Sequence, residues 1–374
     1  MKKLNLCILG VFIFLVSCQI SKNKVPEPKN VLAKMELAND YFMKKWPDTG
    51  KSIVTNRERP SNIWTRAVYY EGLMALYSID LQPAYYDYAV SWGDAHNWGL
   101  RDGYVATRNG DNQCCGQTYI DLYKIEPHEK RITAIKASVD SMLATDKIDD
   151  WDWIDALQMA MPVFARLTEL TGDTAYSERM YTMYMDTKNR QGLWNPDDGL
   201  WWRDKDFLPP YKEPNGENCY WSRGNGWVVA ALVRVLDILP DDPHRTEYEE
   251  TLLAMLNALV PLQREDGFWN VSLHDAENFG GKETSGTALF TYGLAWAVNN
   301  GLLEREKYEP IIFKAWGAMA NDALHKDGFL GYVQGTGKQP SDGQPVTYTN
   351  IPDFEDYGLG CFLLAGAEVF KMVQ

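Results

Sequence analysis

The chain has 374 residues, 45% of them hydrophobic, which is ample material for a large buried core. Its formal net charge of −14 excludes nucleic acid and anionic membrane surfaces as partners, because no basic cluster offsets it. A small anionic ligand stays compatible wherever a few arginines gather locally.

In chain order, Lys2 and Lys3 precede an apolar run from Leu4 to Val16 that is too short to span a bilayer. The run ends in Leu15-Val16-Ser17-Cys18, which resembles the lipobox of bacterial lipoproteins. That resemblance implies a signal peptide over 1–18, a lipidated Cys18 as the first mature residue, and a place in the bacterial cell envelope. No acidic run follows Cys18, so the anchor is expected to face the periplasm, with the lipid as the sole membrane contact. Residues 19–29 are polar, contain Pro26 and Pro28, and read as a flexible tether. Residues 30–374 read as one domain, since no Pro/Gly/Ser-rich linker interrupts them. Past the leader the cysteines are Cys114, Cys115, Cys219 and Cys361. None has metal-ligand spacing with histidine, so no metal is expected, and disulfide pairing stays open.

Apolar periodicity predicts helices over 29–45, 63–79, 82–96, 116–125, 128–145, 154–171, 173–190, 224–238, 243–263, 285–300, 304–322 and 356–371, with almost no strand pattern. The helices alternate in kind. The one from Arg245 to Gln263 mixes charge with apolar residues, as a helix with one wet face does. Those opening at Gly226, Gly286 and Gly358 are apolar nearly all round, hence buried. Such alternation is what two concentric rings require, six inner helices within six outer ones: an all-α (α/α)6 barrel. The segments ahead of the inner helices hold most of the tryptophans and the Asp and Arg residues without an obvious partner, so one end of the barrel is expected to carry the site.

Within Trp151-Asp152-Trp153-Ile154-Asp155-Ala156-Leu157-Gln158-Met159, Asp155 sits in the first turn of an apolar helix, and Met159 shares its face. An acid there can also be a plain partner of the helix dipole. Asp111, ahead of Gly116, arrives at the same end of the barrel, although an N-cap would account for it equally well. Arg223 stands between Trp221 and Trp227, where a planar fork suits a carboxylate and the indoles suit sugar faces.

Together, Trp153-x-Asp155-Ala156-Leu157-x-Met159, Asp111-Asn112 ahead of Gly116, Trp221-x-Arg223-Gly224-Asn225-Gly226-Trp227, and Trp64-x-Arg66 ahead of Glu71-Gly72-Leu73 resemble the unsaturated rhamnogalacturonyl hydrolases, glycoside hydrolase family 105. The likeness runs in order from Trp64 to the C-terminus. It implies removal of a terminal 4,5-unsaturated uronic acid from lyase-generated oligosaccharides, such as those of pectin, with no cofactor. It implies Asp155 as general acid and base, Asp111 as a second acid, Trp221 and Arg223 as holders of the sugar and its carboxylate, and Met159 as a contact beside the acid. Trp64, Trp153 and Trp227 offer further stacking faces. Where related members carry a histidine, Gly199-Leu200-Trp201-Trp202 is followed here by Arg203, the next candidate for the carboxylate. The proton for such chemistry needs a carboxyl with a raised pKa, which the apolar neighbours of Asp155 and the charge of Asp111 favour. No obligate protein partner is implied. The competing readings are another barrel glycosidase or epimerase, and a non-catalytic, lipid-anchored sugar-binding protein.

Overall fold

The computed structural model describes residues 25–103 and 105–374. Cys18, the signal segment and residues 19–24 of the tether lie outside the described residues.

The helices are α1 (Pro28–Lys45), α2 (Trp64–Ile79), α3 (Pro83–Ala95), α4 (Gly110–Gln113), α5 (Cys115–Ile125), α6 (Thr133–Leu143), α7 (Asp155–Thr171), α8 (Ala175–Met185), α9 (Ser222–Ile238), α10 (Arg245–Leu259), α11 (Thr284–Asn299), α12 (Arg305–Ala318) and α13 (Tyr357–Val373). Two antiparallel pairs of very short strands, β1 (Ile53–Val54) with β2 (Glu58–Arg59) and β3 (Trp194–Asn195) with β4 (Leu200–Trp201), decorate the connections.

The expected alternation is what the fold displays. Outer helices bury one stripe: α10 hides Tyr248, Thr251, Leu252, Met255, Leu256 and Leu259, a spacing of three and four residues. Inner helices are buried almost throughout, as in α9, α11 and α13. Around the inner ring α2 packs on α5, α5 on α7, α7 on α9, α9 on α11, α11 on α13, and α13 back on α2. The short α4 was not anticipated, because four residues are too few to display a period. Helix α9 begins at Ser222, so Arg223 belongs to its first turn instead of preceding it.

Closure between the first and last inner helices is a backbone-to-backbone contact. A Cβ on Gly72 would lie 2.5 Å from the carbonyl oxygen of Gly360, and one on Gly360 would lie 2.2 Å from that of Val68. Only glycines allow α2 and α13 to meet at this spacing. Above them Arg66 Nε donates to Asp356 Oδ2 at 3.0 Å, both side chains being buried. The Arg66 guanidinium also lies 4.9 Å from the ring centroids of Phe42 and Trp46, which ties α1 and the segment after it to the seam.

The direction of the inner helices sorts the two mouths of the barrel. Trp64, Asp111, Asp155 and Phe354, at or near the starts of inner hairpins, line one cavity. Ser78, Ile125, Asp237 and Lys371, near their ends, line another.

Removing one partner of the seam pair strands the other's charge in the core. Asp356→Asn is therefore expected to cost about 3–5 kcal/mol of stability in urea unfolding, and Arg66→Met with Asp356→Leu together should recover most of that loss.

Candidate active site

The start of α7 organises the site. Ile154, just ahead of the helix, donates its backbone N–H to the carbonyl of Arg203 at 3.0 Å, and Trp153 bridges antiparallel to Asp204. This short pairing lays the 203–204 segment beside the helix, so Arg203 Nε donates to Asp155 Oδ2 at 2.9 Å while Nη1 donates to Asp204 Oδ2 at 2.7 Å. Asp155 is 8% exposed, and that small window opens on the cavity.

Asp111 arrives from the neighbouring hairpin. The cap of α4 is Asn109, whose side chain accepts from the backbone N–H of Asn112 at 3.2 Å, so Asp111 has no capping duty. Gly110 lets α4 lie against the start of α7, since a Cβ there would sit 3.3 Å from the carbonyl oxygen of Ala156, the residue after Asp155. Burial in the pocket wall pushes the Asp111 carboxyl up to about 6; the charge of Asp155 acts in the same direction, and Arg101 and Arg203 oppose it. The sequence placed the raised carboxyl on Asp155; the raised carboxyl in the structure is that of Asp111.

Asp111, Asp155, Trp64, Trp153, Met159 and Arg203 all line one cavity of about 270 Å³. Three of the expected residues do not. Trp221, Arg223 and Trp227 are 2%, 1% and 0% exposed and stand behind its wall. Arg223 donates from Nη1 to the carbonyl of Gln334 and from Nη2 to that of Gly335, each at 2.8 Å. Its guanidinium lies between the rings of Trp221 and Tyr357, 4.6 and 5.0 Å from their centroids. Trp221 Nε1 donates to Gln334 Oε1 at 2.9 Å, and Trp227 meets the edge of Trp64 at 6.1 Å between centroids. These residues hold up the 334–337 loop and the Trp64 ring, while Thr336 and Gly337 of that loop form the wall itself. The fork of Arg223 reads backbone carbonyls in place of a ligand's carboxylate.

The charged lining residues that sequence reasoning missed are all cationic. Arg57 and Arg59 come from the β1–β2 hairpin and Arg101 from the segment before α4, facing the cavity with Phe354 and the 336–337 loop. Arg59 is oriented by neutral acceptors, donating to Thr55 Oγ1, to the Arg57 carbonyl at 3.2 Å and to Asn56 Oδ1 at 2.9 Å, and it stacks 5.4 Å over Phe354. Burial lowers its pKa, and the like charges of Arg57 and Arg101 act the same way. The only signal available beforehand was the Arg57-Glu58-Arg59 alternation next to Pro60. Four arginines around two aspartates, at the end of the barrel where the inner helices begin, make a cavity suited to an acidic ligand.

A model of glycosyl hydrolase family 88 matches residues 34–373, nearly the whole described chain. The chain belongs to this family. An unsaturated 3S-rhamnoglycuronyl hydrolase of Formosa agariphila is 35% identical to it, over 83% of this chain and 85% of that protein. A family 88 glycosyl hydrolase structure from Bacteroides vulgatus superimposes with a TM-score of 0.84 at 33% identity, covering 92% of this chain and 99% of that one. A family 105 glycoside hydrolase from Clostridium acetobutylicum shares the barrel at 22% identity, with a TM-score of 0.71 over 90% of this chain and 98% of that one. The family 88 enzyme described here is accordingly a glycoside hydrolase, and the non-catalytic sugar-binding reading falls away.

In this enzyme Arg223→Lys keeps the charge but loses the two-pronged grip on the 334–335 carbonyls. It is expected to lower stability by about 1–3 kcal/mol in thermal or urea unfolding, and to make the 334–337 loop more susceptible to proteolysis.

Proposed function

We propose that the enzyme removes a terminal 4,5-unsaturated uronic acid from oligosaccharides left by a polysaccharide lyase, hydrating the C4=C5 double bond instead of protonating the glycosidic oxygen. The observation that carries this reading is the carboxyl of Asp111, raised to about 6, coupled to Asp155 in a cavity lined by four arginines. Hydrolysis of a neutral glycoside has no use for that much positive charge, whereas a uronate does. The name borne by the Formosa agariphila relative, an unsaturated 3S-rhamnoglycuronyl hydrolase, supports the same substrate class.

The proton stored at Asp111 keeps the site supplied under mildly acidic conditions, and Asp155, at the helix start, delivers it to C4. The C4=C5 π bond becomes a C4–H bond, leaving positive charge at C5 that the ring oxygen shares. Asp155 then takes a proton from the water that adds at C5. The resulting hemiketal opens and expels the remaining chain as an alcohol. Trp64 and Trp153 supply flat faces for the ring, and Met159 bounds it on the side of Asp155. With Arg223 committed to the loop, the uronate carboxylate goes to the arginine side of the pocket, where Arg59 is preset by Thr55, Asn56 and Phe354. At the N-terminus, Cys18 carries the lipid that tethers the enzyme at the cell envelope, facing the periplasm; Cys18→Ala leaving the membrane fraction unchanged would overturn this.

Asp155→Asn should lower turnover by at least about 10² to 10⁴-fold with the fold intact. In heavy water the released keto-acid should carry one deuterium at C4, and oxygen-18 from solvent should appear at C5 of that product and not on the released sugar. Cleavage of a saturated aryl uronide, or a product without deuterium, would assign the barrel a different reaction. The pH profile follows from the raised acid: its proton is present below about 6 and lost above it. Since the form with Asp111 protonated is the working one, kcat/KM should be flat below that value and fall about tenfold per pH unit above it. Arg59→Lys should raise KM more than it lowers kcat, because the charge survives and the fork does not.

A further inference from the structure

The two aspartates share a support one helical turn beneath them. Cys114 follows Asp111 by three residues, and Gln158 follows Asp155 by three, a spacing that puts each pair on one helix face. Both lower residues end on one side chain. Glu71 Oε2 accepts from Gln158 Nε2 at 2.8 Å, and Glu71 Oε1 accepts from Cys114 Sγ at 3.4 Å. Glu71 stands on α2, is 1% exposed, and is not part of the lining around Asp111 and Asp155.

The rest of the network fixes Glu71 in turn. Arg234 of α9 lies 3.6 Å from its Oε2 and donates from Nε to Gln117 Oε1 of α5 at 3.1 Å. Gln117 Nε2 donates to the backbone carbonyl of Gln158 at 2.8 Å, returning the chain of bonds to α7. Three inner helices, α2, α7 and α9, and the α4–α5 junction therefore meet on one buried carboxylate. A buried carboxylate is costly to desolvate, and a leucine would fill the space without that penalty. What a leucine could not do is hold a donor from each of the two segments that carry the acids.

We propose that Glu71 is a positioning residue that sets the separation of Asp111 and Asp155 by gripping the turn beneath each of them. The proposal rests on the reading of those two aspartates as the reacting pair. Its consequence is electrostatic. Asp155, Arg101 and Arg203 are the charged groups that act on Asp111, and of these only Asp155 raises its proton affinity. That contribution falls with distance. Glu71 itself faces Arg234, Arg166, Cys114 and Asp121; burial raises its carboxyl, and the two arginines oppose the rise. Neutralising Glu71 should loosen both grips and let the acids drift apart.

The test is Glu71→Gln in the full chain, with the Asp111 carboxyl followed by carbon-13 NMR of the substrate-free enzyme and assigned through Asp111→Asn. The midpoint should move down by at least about half a pH unit, and kcat on an unsaturated uronyl disaccharide should fall about ten- to a hundredfold while KM stays within about twofold. Cys114→Ala and Gln158→Leu should each act in the same direction, add nothing in the Glu71→Gln background, and Cys114→Ser should restore most of the loss. A purely structural role would lower stability and leave the midpoint in place, and that result overturns the proposal. If Glu71→Gln does not fold, Cys114→Ala and Gln158→Leu decide: an unmoved midpoint in both overturns it equally. A wild-type enzyme inactive on the disaccharide would sink the functional reading, while the NMR midpoint would still decide the role of Glu71.

Discussion

A ring of helices must close, and closure here depends on how near α13 can come to α2. Gly72 and Gly360 remove the side chains that would hold the two backbones apart, and the buried Arg66–Asp356 pair fastens them above the contact. Every other inner helix touches neighbours adjacent in the chain's own winding. This pair alone joins the beginning of the ring to its end. Because the reaction pocket is assembled from loops on five of the six hairpins, an opening at the seam would displace Trp64 and Phe354 relative to Asp155 before it disturbed any single helix.

The common direction of the inner helices does electrostatic work as well. Their N-terminal ends, with positive dipole character, converge on the mouth that also gathers Arg57, Arg59, Arg101 and Arg203. A chain of net charge −14 thereby presents a locally positive cavity to an acidic sugar. Against that background Asp111 is still raised, which shows how strongly burial and the neighbouring Asp155 act upon it.

Much of this was legible in the sequence, for reasons that differ between residues. Helix positions and the two-ring alternation were readable because burial on all sides or on one stripe leaves a direct imprint on composition, as α9 and α10 illustrate. Asp155, Asp111, Met159, Trp64, Trp153 and Arg203 were found because they stand at or just before inner-helix starts, in short strings with glycine and tryptophan that carry the family resemblance. Trp221, Arg223 and Trp227 look identical in kind on paper, yet face the back of the wall. Which way a residue in the first turn of α9 points depends on where the 334–337 loop lies, more than a hundred residues away, and no local pattern encodes that. Arg57 and Arg59 were missed for the opposite reason: a two-residue strand pair has no period to detect, and their meaning comes from the cavity they overhang.

At the other mouth lies a second cavity of about 450 Å³, and Glu71 and Arg234 belong to its lining. The barrel thus has a cup at each mouth, and the Gln158–Glu71 and Cys114–Glu71 hydrogen bonds lie between them. Met159 faces the upper cup, and Gln158, its neighbour, hydrogen-bonds to Glu71 in the floor. Deepening the upper cup to admit a bulkier sugar would therefore reach the lower one almost at once. Any change in the pocket's depth therefore acts on the same buried carboxylate that both mouths share, whereas the hairpin and loop at the rim stand apart from it.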